Sequence, residues 1–370
     1  MGMRRFFMMI SLMISAQLSF AQSNKKIDSL IGVANTFMFK DPKKTVQIGE
    51  EILKKKDISD SYKISSYVLI ANGFAAMNDF KRSIDFAIKA NELSEKTKDN
   101  ANQIRTLGLI GNQYTRIEMR EEAWKYLDKA DKLTQTISLP DSMKYLIGNI
   151  NLLKGFLYKR SLDCGYAIKH FNKAIAAFKK DKGNGFAVAN LGQAYNQKGY
   201  CYLSINKDSA EVSFHQGLSD ARKNGAKSLE CNALVGLSEI EADRNNFKMS
   251  NDTLFYALKL SKEIKQREME SKIYKLLSNN FIEIDDFENH LKYQDLYESA
   301  HSKFDQENME SINEIIKKRN EYKEKIFESK QKRYYTIIFI LLVILITIII
   351  FFGYFFVKKS NKLDKITFSR

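Results

Sequence analysis

The sequence predicts an all-α protein: a solenoid of about seven helix pairs, then a long juxtamembrane helix and one transmembrane helix. Apolar residues recur at i, i+3, i+4 and i+7 on both sides of short polar breaks that repeat along the chain. Only two prolines, Pro42 and Pro140, occur in 370 residues, so few positions interrupt a helix. Residues 334–357 form an uncharged run of 24 residues, long enough as a helix to cross a hydrocarbon core of about 30 Å.

Residues 1–21 have the features of a secretory signal peptide. Arg4 and Arg5 give a positive start, residues 6–14 form a short apolar segment, and Ser-Phe-Ala at 19–21 provides a small-residue cleavage site. The apolar segment is too short to span a membrane comfortably. We therefore expect cleavage after Ala21 and export of the chain that follows.

The region 22–302 is predicted to be a repeat array. Polar breaks interrupt its helical pattern at regular intervals, and an apolar-periodic helix lies on each side of every break. The breaks are at 40–42, 77–80, 118–120, 162–165, 205–208, 244–247 and 284–287. Because one helix pair leaves an apolar face that only a neighbouring pair can cover, such units stack into a solenoid.

Small and aromatic residues recur at fixed positions of these pairs. The third pair has Leu107, Gly111 and Tyr114 on its first helix, and Ala123, Leu127 and Ala130 on its second. The corresponding residues of the second, fourth and seventh pairs are Tyr67, Ala71, Phe74 and Ala90; Gly155, Tyr158, Ala167, Phe171 and Ala174; and Leu277, Ser278 and Phe281. The seventh pair departs from the pattern, because it has His290 where the small residue belongs. This pattern resembles that of the tetratricopeptide repeat, W-x2-L-G-x2-Y followed by A-x3-F-x2-A.

The spacing of the repeats departs from that family. The anchor positions of the second helices are 45, 83, 123, 167, 210, 250 and 290, which are 38 to 44 residues apart, against about 34 in the family. We expect helices with an extra turn, or longer links. Small residues such as Gly111 and Ala123 should let the helices of one pair approach closely, and Tyr114 and Leu127 should fill the space against the next pair.

The segment 303–333 is predicted to be one long helix that continues into the membrane helix. Met309 and Ile312 belong to a heptad frame, so a coiled coil and a homodimer through this segment are one alternative. The same frame places Arg319 and Lys323 at core positions, which weakens it. The other alternative is a capping helix that lies on the seventh pair.

The predicted topology is a single pass through the inner membrane of a bacterium. A cleaved signal peptide places the repeats on the periplasmic side, and the span 334–357 then leaves residues 358–370 as a short cytoplasmic tail. Lys358, Lys359 and Lys362 suit a cytoplasmic flank. The partner expected for the span is the lipid bilayer.

The sequence contains no constellation that supports catalysis, a metal or a cofactor. It lacks phosphate-loop, GxSxG, HExxH and zinc-ligand motifs. The three cysteines, Cys164, Cys201 and Cys231, have no CxxC spacing; packing between helices is the favoured interpretation, and one disulfide of unknown pairing is the alternative. We therefore expect a protein that is not an enzyme.

The net charge of +15 does not indicate nucleic-acid binding. Lys and Glu alternate along the predicted helices, as on a solvated helical surface, whereas a nucleic-acid interface needs clustered basic residues with aromatic residues for stacking. We expect no nucleic acid as a partner of this chain.

The resemblance to tetratricopeptide repeats implies that the first helix of each pair lines a concave face that binds a protein or an extended peptide. Asn72, Asn112 and Asn279 fall at the same inward register position. The other residues of this candidate ligand groove are Arg116, Asn196, Tyr200 and Lys275. Asparagine can both donate to and accept from a peptide backbone. The alternative is that these residues are a solvated surface of a structural scaffold.

Two hypotheses of function follow. The first is a membrane-anchored periplasmic binding module that acts as a scaffold or sensor. The second is a signalling regulator, since the layout resembles bacterial regulators with an exported tetratricopeptide sensor and one span. In that case the helix-turn-helix or histidine-kinase effector is missing or supplied by another protein, because 13 residues after the span are too few to bury a core.

Overall fold

The structure is a computed structural model that describes residues 24–38, 40–161, 163–181 and 185–367. The predicted signal peptide and its cleavage site lie outside the described residues, as do the last three residues of the predicted tail. Within these ranges the regular structure is helical and no strand occurs. The helices are α1 (24–37), α2 (Pro42–Leu53), α3 (Asp60–Ala76), α4 (Phe80–Lys96), α5 (Asn100–Arg116), α6 (Arg120–Thr136), α7 (Tyr145–Arg160), α8 (Cys164–Lys180), α9 (Gly185–Tyr202), α10 (Lys207–Lys223), α11 (Lys227–Asp243), α12 (Phe247–Glu263), α13 (Arg267–Ile282) and α14 (Phe287–Thr367).

The helices form the predicted solenoid. Each of the predicted polar breaks falls between an odd-numbered helix and the even-numbered helix that follows it, so α1–α2 through α13–α14 are the helix pairs. Every helix from α2 to α12 packs on the next one along the chain. The first helices also contact each other, α3 with α5 and so on to α11 with α13, and they form one layer. The all-α fold class and the repeat architecture are confirmed.

The length of the helices explains the long repeat. The helices α3 to α6 have 17 residues each, and three residues separate α3 from α4, α4 from α5, and α5 from α6. Two such helices with their turns make a 40-residue unit. The link from α6 to α7 is longer, because Pro140 is followed by a 3₁₀ turn at Asp141–Met143. This link accounts for the 44-residue spacing at that point, so both expected causes contribute.

A left-handed residue ends many of these helices. Asn78 has φ 57°, and Lys98 and Glu118 have φ 55° and 59° at the same turn position. The next amide then reaches back to the helix: the N–H of Asp79 donates to the carbonyl of Phe74 at 2.9 Å. The Asp79 side chain in turn accepts from the third N–H of α4. The turn therefore provides hydrogen-bond partners for an unpaired carbonyl at the end of one helix and for an unpaired N–H at the start of the next. This is why the chain can reverse within three residues.

The repeat positions that the sequence singled out are buried, apart from Tyr67 and Tyr158, which are half-buried. Their packing differs in one respect from the expectation. Leu127 lies on Gly111 of its own pair, so it fills space inside the pair, whereas the sequence analysis placed it against the next one. Phe171 lies on Gly155 in the same way. In these pairs, the large residue of the second helix therefore packs directly on the glycine of the first helix.

The chain divides into two units, Met1–Ile315 and Ile316–Arg370. In the first, the beginning of α14 caps the array: Tyr293 stacks on Phe281 of α13 with ring centroids 5.4 Å apart. The structure has no helix start at residue 303, because α14 already begins within the seventh pair. The side chains of residues 303–312, which would decide between a coiled coil and a cap, lie outside the described side chains.

In the second unit, α14 contains a segment that is long and apolar enough to cross a membrane. It covers Lys323–Tyr354. Its most apolar 18 residues have a mean hydropathy of 3.2, and none of them is buried. The predicted juxtamembrane helix, the span 334–357 and most of the predicted tail 358–370 belong to this one continuous helix, which ends at Thr367.

Candidate functional site

An open cavity of about 370 Å³ lies on the layer of first helices, against α3, α5, α7 and α9. Its polar lining residues are Asn72, Arg105, Asn112, Asn149, Asn190 and Gln193. Its apolar lining residues are Val68, Ile104, Leu109, Tyr145, Leu146, Ile150, Leu152, Leu153 and Phe156. We call this cavity the asparagine groove. The repeat fold creates it, because the same face of successive first helices is presented side by side.

Asparagines from four consecutive first helices line the groove. Asn72 of α3 and Asn112 of α5 are two of the predicted ligand residues, and each is half-buried. Asn149 of α7 and Asn190 of α9 join them, with the Nδ2 of Asn190 donating to the Oδ1 of Asn149 at 3.3 Å. Each carboxamide offers both donors and an acceptor, so the row matches the alternating groups of a peptide backbone.

Arg105 supplies the positive charge of the groove. Its side chain is half-buried and has no ion-pair partner within the part of the chain that the structure describes. No carboxylate is among the groove's lining residues. The groove therefore combines neutral amides, an apolar floor and one cation. This lining favours the binding of a polar peptide backbone over the binding of a cationic ligand.

Two of the predicted ligand residues serve the scaffold. The guanidinium of Arg116 donates to the carbonyl of Ala75 at 3.0 Å and to Asn78 at 2.9 Å, and it lies over a phenylalanine ring. Burial lowers the pKa of Arg116 below its usual range. Asn196 is buried, and its Nδ2 donates to the carbonyl of Leu229 at 2.8 Å. Arg116 thus ties α5 to the turn between α3 and α4, and Asn196 ties α9 to α11.

The remaining predicted residues lie along the layer outside the groove. Lys275 and Asn279 are exposed on α13, and the Nζ of Lys275 is 5.6 Å from the ring centroid of Tyr297. Tyr200 of α9 is half-buried and belongs to a second cluster. Of the three asparagines that share the register position, Asn72 and Asn112 line the groove and Asn279 does not.

The second cluster, which we call the lysine–tyrosine cluster, consists of Lys159, Gln197, Tyr200, Glu239 and Lys272. These residues come from α7, α9, α11 and α13, so they lie on the layer of first helices. The Nζ atoms of Lys159 and Lys272 lie 5.0 and 4.7 Å from the ring centroid of Tyr200. Sequence reasoning missed the two lysines, since lysine is frequent throughout the chain.

A larger cavity, of about 510 Å³, lies over the turns that precede α11 and α13. Three of its polar lining side chains already have partners: Lys227 pairs with Glu263 at 2.8 Å, and the hydroxyl of Ser228 donates to Gln266 at 3.2 Å. Such a rim offers few unfilled hydrogen-bonding groups. We therefore regard the asparagine groove as the better candidate despite its smaller volume.

The buried titratable groups between α6, α7 and α8 serve the packing of the repeats. The Nζ of Lys154 pairs with Asp128 and Asp131 at 2.8 Å each. The Nδ1 of His170 lies 3.0 Å from the Oδ1 of Asn151, and burial, with the charge of Lys154, lowers the pKa of His170 to about 4. Among the described residues, no group of three or more His, Cys, Asp or Glu side chains could hold a metal ion.

The cysteines divide into a neighbouring pair and a separate residue. Cys164 packs with Cys201 in one hydrophobic cluster, and all three thiols are free. Cys231 is buried in another cluster, where its Sγ contacts the carbonyl of Ala257 at 3.3 Å. Burial raises the pKa values of Cys201 and Cys231 to about 12. Both thiols therefore behave as core residues, as the favoured interpretation of the sequence expects.

No protein-family model matches the chain, and no curated protein matches its sequence. Solved structures do match its fold. The apo form of RapI is similar over 76% of this chain and 99% of its own, with a TM-score of 0.56 and 13% identity. The Rap conjugation gene regulator of plasmid pLS20, in complex with the Phr* peptide, is similar over 76% of this chain and 72% of its own, with a TM-score of 0.56 and 14% identity.

A third similar structure contains a sensor of the family that the sequence resembles. It is a signal transduction ATPase with numerous domains and a tetratricopeptide repeat sensor, from Pyrococcus horikoshii. The TM-score is 0.59 and the identity 16%, over 72% of this chain and 39% of that one. At these identities the likeness concerns the fold. The chain therefore has the helical-repeat fold of tetratricopeptide-like proteins, as its sequence predicts.

Proposed function

We propose that this chain binds an extended peptide, or an extended segment of another protein, in the asparagine groove. The observation that carries the proposal is the row of carboxamides from four consecutive first helices over a continuous apolar floor. A backbone has an N–H and a C=O at nearly every residue, so amide side chains can hold it without reading its sequence. Side chains of the ligand would then lie against the apolar residues.

The dimensions of the fold suit an extended ligand. Packed helices are about 8–10 Å apart, and an extended chain rises about 3.3 Å per residue. Each first helix would therefore meet about every third residue of the ligand. The four helices from α3 to α9 would cover a segment of roughly nine or ten residues by the same spacing.

The comparison with a peptide complex supports this reading. The pLS20 regulator that shares the fold was solved with the Phr* peptide. A protein with this fold can therefore bind a peptide. In the present chain, the residues that would contact the peptide are those that line the asparagine groove.

We further propose that the protein is anchored in a bacterial inner membrane with its repeats on the periplasmic side. The segment Lys323–Tyr354 supports a span by its length, hydropathy and exposure. The N-terminal sequence pattern supports export. Protease added to spheroplasts should then digest the repeats and spare an epitope tag placed after Arg370. Digestion of the tag with the repeats intact would contradict this topology.

Site-specific photo-crosslinking tests the binding proposal in the intact protein. Benzoylphenylalanine at Leu153, which lines the groove, should give covalent adducts with a partner in the native host. The same probe at Gln135, exposed on α6, serves as the matched control. Equal adduct yields at the two positions, or none at Leu153, would contradict binding in the groove.

A further inference from the structure

The last helix pair exposes an apolar patch on its second helix. Phe287 and Leu291 are 59% and 61% exposed on the first two turns of α14, and Ile284 is exposed in the turn before them. Because Phe287 and Leu291 are one helical turn apart, they lie on the same face of α14. We call these three residues the end patch. Within the part of the chain that the structure describes, no element covers it.

In the second pair the same register positions are buried under the next pair. Phe287 and Leu291 lie three residues before and one residue after the anchor position 290. Phe80 and Ile84 have these places around the anchor position 83, and they are 2% and 0% exposed. The guanidinium of Arg116, on the first helix of the third pair, lies 4.7 Å from the ring centroid of Phe80. The end patch is therefore one half of a repeat interface.

The sixth pair shows in which direction a helix covers this face. Asn251 of α12 has the register position of Leu291, and it is buried. Its Oδ1 accepts a hydrogen bond from the Nδ2 of Asn280 at 2.8 Å. Asn251 lies near the start of α12 and Asn280 near the end of α13, so the covering helix runs antiparallel to the second helix. An occupant of the end patch that follows this geometry is a helix antiparallel to α14.

Carboxylates border the end patch. Glu288, Asp295 and Glu298 are exposed and lie three, four and seven residues from Leu291, so they share its side of α14. The partner of Glu298 is neutral, since its Oε1 accepts from the Nε2 of Gln294 at 2.9 Å. Residues 284–302 contain five carboxylates and one lysine in all. The border of the patch is therefore negative.

This charge decides between a second copy of the chain and a different protein. Two copies that pair through this face would bring their carboxylates together, and like charges across an interface disfavour association. A helix with Lys or Arg beside its apolar residues would instead form ion pairs while it covers the patch. The second pair already combines a cation with an apolar ring in this way, with Arg116 over Phe80.

We propose that the end patch docks a basic amphipathic helix of a partner protein, which takes the place of the first helix of an eighth pair. Apolar residues near the end of the docked helix would cover Phe287 and Leu291. Lys or Arg residues beside them would pair with Glu288, Asp295 and Glu298. The end patch lies on the last helix pair, whereas the asparagine groove lies against α3, α5, α7 and α9. The two sites are therefore separate.

Three synthetic helices test this docking with the full chain in phosphatidylcholine nanodiscs. The first is a fluorescent peptide of about 18 residues, or five helical turns, with leucines on one face and lysines beside them. The second has glutamates in place of the lysines, and the third has the composition of the first in an order without an apolar face. Fluorescence anisotropy, corrected with empty nanodiscs, measures binding. We expect the lysine helix to bind at least about tenfold more tightly than either of the others.

Substitutions assign this binding to the end patch. Phe287→Ser and Leu291→Ser, both at exposed positions, should each weaken binding of the lysine helix about tenfold. Val212→Ser is the matched control, because Val212 is an exposed apolar residue of α10, and it should leave binding unchanged. Asp295→Lys combined with Glu298→Lys should reverse the preference, so that the glutamate helix binds more tightly.

The outcomes distinguish a partner helix from the other occupants. Selective binding of the lysine helix that is lost in the patch variants and reversed by the two lysine substitutions supports the proposal. Equal binding of the three helices, no saturable binding of the lysine helix, or binding that the serine variants leave unchanged overturns it. A dimer of the full chain in detergent that Leu291→Ser dissociates would assign the face to a second copy, and this result also overturns the proposal.

Discussion

Leu127 of α6 occupies the space that a β-carbon on Gly111 of α5 would need. An ideal Cβ at Gly111 would lie 2.6 Å from the Cγ of Leu127, much closer than van der Waals contact. Gly199 has the same relation to Phe214, with 2.7 Å to the ring. The glycine of the repeat pattern is therefore a steric requirement of the third and fifth helix pairs.

Gly199→Ala should destabilise the repeat array by about 1–3 kcal/mol, as other overpacked cores are destabilised. The ring of Phe214 cannot retreat, because it also lies against Gly236 of the next first helix. This steric cost opposes a helix-propensity gain of about 1 kcal/mol for alanine. Urea denaturation followed by circular dichroism measures the difference.

Gly32→Ala is the matched control. A β-carbon at Gly32 meets nothing within 4 Å, and the residue lies inside α1. Propensity alone should then act and raise the free energy of unfolding by up to about 1 kcal/mol. Equal effects of the two substitutions would mean that the tight approach at Gly199 does not matter.

Lys154→Met should cost about 3–5 kcal/mol, the range for breaking a buried ion pair from one side. The Lys154 side chain is 9% exposed and pairs with Asp128 and Asp131 of the preceding helix. Its removal leaves Asp131, which is 16% exposed, without its cation. The midpoint of urea denaturation should fall accordingly.

Lys129→Met provides the comparison for that substitution. Lys129 pairs with Glu95 of α4 at 3.5 Å, and both side chains are at least half exposed. Exposed pairs of this kind contribute about 0–1 kcal/mol. If both lysine variants lose the same stability, burial does not govern the strength of these contacts.

Acid should destabilise the array through His170. Its pKa is about 4 in the folded chain, because burial and the charge of Lys154 disfavour the imidazolium, whereas an unfolded histidine titrates near 6.5. Between these values only the unfolded chain binds the proton, so stability falls as the pH is lowered from 6.5 through 4. The loss from this residue should be roughly 3 kcal/mol.

His170→Asn isolates that contribution. Asparagine retains a donor for Asn151 but does not titrate, so the variant should have a shallower dependence of unfolding free energy on pH between 6.5 and 4. The carboxylates of Asp128 and Asp131 are present in both proteins, so the comparison cancels their contribution. Parallel pH profiles for the two proteins would contradict this role of His170.

The thiols should react with iodoacetamide in a defined order at pH 8. A thiol with a pKa of about 12, as burial gives Cys201 and Cys231, is thiolate in only about one part in ten thousand at this pH. Cys164 is half-buried and should be alkylated first. Peptide mapping reads the order, and in urea all three should react. Labelling of Cys231 as fast as Cys164 in the native protein would contradict the packing.

The sequence was a good guide wherever the repeat itself decides the structure. The pairing of helices, the polar breaks and the buried positions follow from the periodicity of apolar and small residues. Asn72 and Asn112 were found together because each directly follows the small residue of the pattern, Ala71 or Gly111. Because successive helix pairs pack in the same way, residues at the same repeat position of neighbouring pairs lie side by side in the groove.

Residues outside that register could not be placed in advance. Asn149 was missed because alignment on Gly155 places Phe156, and not an asparagine, at the expected position. Arg116 falls near the predicted face, yet its long side chain turns back to the preceding repeat and binds Ala75. Contacts of this kind depend on rotamers and on the distance between helices, which periodicity does not contain.

The central claim is that the asparagine groove holds an extended peptide, and peptide retention by the full chain in lipid nanodiscs tests it most directly. A randomised decapeptide library should yield a retained subset whose sequences share a pattern. Replacement of Asn72, Asn112 and Asn149 together by alanine should reduce retention at least about tenfold, since each amide contributes a hydrogen bond. Gln135→Ala, an amide removed from the exposed face of α6, should have no effect. Retention of the same peptides by the triple variant and the wild type, or of none by the wild type, would contradict the claim.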